Sequence, residues 1–154
     1  MTSLEKARAW LAAVWFGGGA LFVLLLVGQS LGGMFGAELD KVWAWAIPNV
    51  FPTLGLMISV LASYALMDRA EADHMQVRTT FFRIACGVSA FYLLILLLSI
   101  VVAPFSAASG GPNKHPVEIL HVSNFWLGPL QGLAAAVVAA VFFTTSKADT
   151  PPAV

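Results

Sequence analysis

Charge is scarce in this chain, and it is missing altogether where the chain is most apolar. Of 154 residues, 8 are Lys or Arg and 8 are Asp or Glu, 10% in all, against about a quarter in an ordinary soluble domain. None of them falls within Trp10–Gly28, Val42–Met67, Ile84–Pro104 or Ile119–Thr144. The formal net charge of zero leaves no basic patch for nucleic acid and no acidic tail. Cysteine occurs once, at Cys86, which excludes an intramolecular disulfide and a thiol-pair redox centre. That thiol is expected to be buried and packed within the third apolar stretch. The apolar stretches also lack paired carboxylates and a Ser–His–Asp set, and no glycine-rich phosphate loop leads to a lysine. The sequence therefore reads as non-enzymatic, with no cofactor and no metal site.

What is present is hydrophobic length. Each uncharged stretch meets the roughly 18–20 residues needed to cross a hydrocarbon core of about 30 Å. With 59% hydrophobic residues, the expected fold is an all-α integral membrane four-helix bundle. Its spans lie near 10–29, 46–67, 82–104 and 118–144, within one membrane domain over 1–147. Residues 148–154, with Pro151 and Pro152, read as a disordered C-terminal tail. Lys6 and Arg8 precede the first run as they would in a signal peptide. The run outlasts a signal core of roughly 7–15 residues, however, and Gly28-Gln29-Ser30 is a poor cleavage site. An uncleaved first span is expected.

Basic residues set the expected orientation. Lys6, Arg8, Arg69, Arg78, Arg83 and Lys147 lie on one side, with only Lys41 and Lys114 on the other. The positive-inside rule puts both termini and the middle loop in the cytoplasm, as in a multi-pass protein of a bacterial inner membrane. In the first outer connection, Ala37–Ala46 reads as a short interfacial helix before span two, with Glu38, Asp40 and Lys41 wet and Trp43 and Trp45 in an aromatic belt. The Asp68–Thr80 loop has neither Gly nor Pro, and Arg69 and Asp73 are spaced i, i+4. Helices two and three are expected to extend there as a cytoplasmic hairpin, whose Arg69, Asp73 and Arg78 suit a soluble partner. Ser106–Pro116 reads as a polar outer loop, with Pro116 opening the fourth helix.

Any chemistry must come from polar side chains inside the spans. In span two, Asn49, Thr53, Ser59 and Ser63 share an arc of about 120° at 100° per residue. In span four, His121, Asn124, Gly128, Gln131 and Ala135 share about 80° by the same count. Ser89, Tyr92 and Ser99 occupy one side of span three. Polar and small faces of this kind either pack helix against helix or line a water-filled path. Pro48, Pro52 and Pro129 mark kinks where a backbone carbonyl loses its partner. Gly17-Gly18-Gly19 either weakens span one or admits a neighbouring backbone. Histidine is the one route to haem or quinol binding. His115 and His121 diverge by about 120° on a single helix, and His74 lies in the opposite loop.

Three functional expectations follow. The first is a homo-oligomer in membrane lipid whose polar helix faces form a pore or ion channel-like path. The second is a non-catalytic membrane subunit, or a cell-permeabilising effector, controlled by a soluble cytoplasmic partner. A haem- or quinol-binding subunit comes third.

Overall fold

The computed structural model describes residues 2–65, 76–77, 79–109 and 115–143. Among them are four long α-helices: α1 (Leu4–Leu31), α2 (Leu39–Ala65), α3 (Thr79–Ala108) and α4 (Pro116–Phe143). They contain 28, 27, 30 and 28 residues, so each is about 40 Å or more in length at 1.5 Å per residue. All four are long and apolar enough to cross a membrane. Between 22% and 39% of each apolar window is buried within the bundle, and the remainder is half-buried or exposed. The outer surface carries Leu24, Leu31, Phe105 and Phe125 at 66–85% exposure, an arrangement that only a lipid solvent accommodates. The chain is a multi-pass membrane protein.

Local chemistry fixes the helix ends. Gly33 adopts φ +70 after α1, and Met34 N–H reaches Gln29 O at 3.1 Å while Gly33 N–H reaches Ser30 O at 3.1 Å. This is the pair of backbone bonds by which a left-handed glycine closes a helix. Gly36, also at positive φ, turns the chain into a 3-10 turn (Gly36–Glu38) that leads directly into α2. No breaker stands between Leu39 and Pro48, so the segment expected as a separate interfacial helix forms the first turns of α2. Trp45 is accordingly not a belt residue. It is buried to 2% exposure and packs on Phe22 with ring centroids 6.0 Å apart. Pro116 opens α4, as expected. Pro104 does not end α3, which continues to Ala108.

The helices form a ring in the order α1, α3, α4, α2, with α3 against α4 the most extensive pairing. Consecutive helices α2 and α3 therefore lie on a diagonal. Thr2–Ser3 (β1) pairs antiparallel with Gln76–Val77 (β2), Thr2 opposite Val77. This joins the starts of α1 and α3 at one end of the bundle, and it makes the residues just before α3 extended where a continuing helix was expected. Arg69, Asp73 and Arg78 lie outside the described residues. At the opposite end, Lys41 Nζ meets Glu38 Oε1 at 2.8 Å, within electrostatic range of His115.

The core explains the glycine run. A Cβ on Gly18 would stand 2.7 Å from Leu93 Cδ1 of α3, and one on Gly19 would stand 3.2 Å from Leu54 Cδ1 of α2, while Gly17 faces open space. Two glycines thus admit leucine side chains from two neighbours, rather than a neighbouring backbone. Cys86 is half-buried at the edge of the core, less enclosed than expected.

Candidate functional site

Polar groups of α3 and α4 converge on the segment of α2 that carries two prolines. Pro52 has no N–H to give Pro48 O, and Pro48 has none to give Ala44 O, so two successive rungs on one side of α2 are missing. The first vacancy is filled from α4, where Gln131 Nε2 donates to Pro48 O at 2.6 Å. One residue further on, Tyr92 Oη of α3 donates to Asn49 O at 2.6 Å. The Asn49 side chain donates through Nδ2 to Trp45 O at 2.7 Å and to Asn124 Oδ1 of α4 at 3.3 Å. Trp15 of α1 stacks on Tyr92 with centroids 5.7 Å apart. One layer thus ties every helix to the break in α2.

This arrangement separates residues that helical spacing had grouped. Asn49 and Thr53 are buried, at 4% and 2% exposure. Ser59, on the same expected face, is on the outer surface and donates to Gly55 O at 2.9 Å. Ser63 lies in α2, but its side chain falls outside the described residues. On α4, Asn124 is exposed and Gln131 half-buried, while Ser123, absent from the expected set, is buried and donates to Leu120 O at 2.6 Å. In span three, Ser89 and Tyr92 are fully buried. Ser99 donates to Ile95 O at 2.9 Å. Among the described residues, Ser89 Oγ, Trp15 Nε1 and Trp45 Nε1 are buried without a hydrogen-bond partner.

Beside the layer, an open groove of about 380 Å³ lies between α2 and α4. Pro52, Thr53 and Leu56 form one wall, and Gly128, Gln131, Gly132 and Ala135 the other. It exists because that wall of α4 is made of small residues. A Cβ at Gly128 or Gly132 would meet nothing within 4 Å. Both glycines are exposed, as are Pro48, Pro52, Gly55 and Ser59 along the facing edge of α2. The groove thus brings Thr53 together with Gln131, while Asn124 meets Asn49 and Pro129 is exposed on α4.

His121 and His115 are both exposed, on and just before the first turns of α4. Among the described residues, no three His, Cys, Asp or Glu side chains gather at one place. No protein-family model, curated protein or solved structure matches this chain.

Proposed function

We propose that the protein works as a homo-oligomer in the membrane, with the α2/α4 face of each subunit turned to a shared axis to line a pore or channel-like path. One observation carries this reading. A single face of the bundle exposes an asparagine, a serine, a half-buried glutamine and a groove walled by glycine, beside surfaces of Leu, Val, Ile and Phe. Polar side chains facing hydrocarbon are costly, and they are kept where they meet a cavity or another helix. Four closely packed helices enclose no hole, so the path must run between subunits. Asn124, Gln131, Ser59 and the Thr53 floor of the groove would line it. Asn49, inside the bundle, would hold the wall in shape. Both termini face the cytoplasm of a bacterial inner membrane, on the strength of the basic-residue asymmetry.

The second reading, a non-catalytic membrane subunit or permeabilising effector under a soluble partner, draws on a different fact. The donors of Asn49 and Gln131 are engaged within one chain, as helix packing alone would require.

Ion flux into liposomes distinguishes the two. The purified protein conducts in the first case, and Asn124→Leu reduces that conduction while expression and oligomer size hold. An unchanged flux in a normally assembled Asn124→Leu oligomer would remove this face from the path. No flux from the unmodified protein under any condition would favour the partner-dependent reading.

A further inference from the structure

We infer that the Pro48–Thr53 segment is a hinge in α2, and that Gln131 of α4 is the clamp that holds it closed. The inference deepens the pore reading, since it names the moving part of the proposed path. The missing rungs at Ala44 and Pro48 fall on one column of the helix, so α2 has lost two adjacent bonds on the side of the exposed Pro48 and Pro52 rings. A helix that has lost adjacent rungs on one side bends most easily by opening on that side. The segment is held from two directions. Tyr92 grips Asn49 O from inside the bundle, and Asn49 O also has the Thr53 N–H of its own helix within reach as an ordinary partner. Pro48 O has no such reserve. Its helical partner would be the absent N–H of Pro52, and its bond in this structure is the one from Gln131 Nε2 at 2.6 Å.

Gln131 also lines the α2/α4 groove together with Pro52 and Thr53. Release of this one amide therefore loosens the hinge and widens the groove in the same movement. Once released, the Pro48 carbonyl is not sustained in hydrocarbon. The open form must admit water to that carbonyl, so opening and wetting are a single event. Small residues on the α4 wall, with open space at Gly128 and Gly132, leave room for it.

The test reads water in the groove rather than conduction. Gly132→Cys in a Cys86→Ser background is labelled with a membrane-impermeant thiol reagent in nanodiscs. Gln131→Leu should raise the labelling rate roughly threefold to fifteenfold, the range that loss of one interhelical hydrogen bond gives. Pro52→Ala restores the N–H that Pro48 O lacks, so Gln131→Leu added to Pro52→Ala should change labelling less than twofold. Gln131→Glu supplies an independent check. Its protonated carboxyl donates to Pro48 O and its carboxylate does not, so its labelling rate divided by that of the parent at the same pH, which removes the thiol's own dependence on thiolate, should be near one at low pH and should rise at high pH. An equal rise from Gln131→Leu with and without Pro52 would overturn the clamp, as would no rise in either background or a ratio of Gln131→Glu to parent that does not change with pH. Because conduction plays no part, a protein that conducts nothing but passes this test would sink the pore reading and leave the hinge standing.

Discussion

Tyr92 shows what one side chain contributes at bilayer depth. It is fully buried, stacked on Trp15, and spends its hydroxyl on a backbone oxygen of the diagonal helix. Tyr92→Phe keeps the ring and removes that bond. Interhelical hydrogen bonds in membranes are worth about 0.6–1.7 kcal/mol, so unfolding in mixed detergent should show a loss within that range. A neutral result would mean that the Asn49 carbonyl is fully served by its own helix. The sequence made Tyr92, Asn49, Asn124 and Gln131 visible as polar positions at helical spacing. It could not show that two of their partners are the backbone oxygens of Pro48 and Asn49, because a carbonyl has no side-chain signature. Trp45 was misread for a related reason. An aromatic belt and an apolar core select the same residue type, and only the Phe22 contact tells them apart.

At the scale of elements, hydrophobic length was enough to place four helices, because an uncharged run of about 20 residues has few alternatives in a membrane. Which face of each helix looks inward was much less legible. Lipid and core are both apolar, so the pattern that separates inside from outside in a soluble helix is muted here. Asn49 and Ser59 were consequently grouped on one face, and the structure puts one inside the bundle and the other at its surface. Pro48 and Pro52 announce two missing backbone bonds in α2 from sequence alone, whereas the residue that fills one of them lies 83 positions away in another helix. Ala37–Ala46 looked like a separate helix because its charges and tryptophans suit an interface. In fact no residue there stops a helix, and α2 simply begins early.

For the whole molecule, the ring order α1, α3, α4, α2 is the feature that no local signal encodes. It brings α2 beside α4 and so creates the groove, and the site was legible only as two separate arcs until that neighbourhood was known. Orientation rests on the basic residues and has a direct check. In a Cys86→Ser background, Ser109→Cys should react with an impermeant reagent added to intact cells, and Ala72→Cys should react only after lysis; the opposite pattern would invert the topology. In the proposed oligomer the α2/α4 faces of the subunits look toward one another across the shared axis. Gly128 is exposed on that face with open space for a side chain. Leu94 is 54% exposed on α3, outside the groove. Oxidative cross-linking of single cysteines in native membranes compares the two positions directly. Gly128→Cys should give a disulfide-linked dimer across the axis and Leu94→Cys should remain monomeric; dimers from Leu94→Cys alone, or from neither position, would contradict a shared axis at this face.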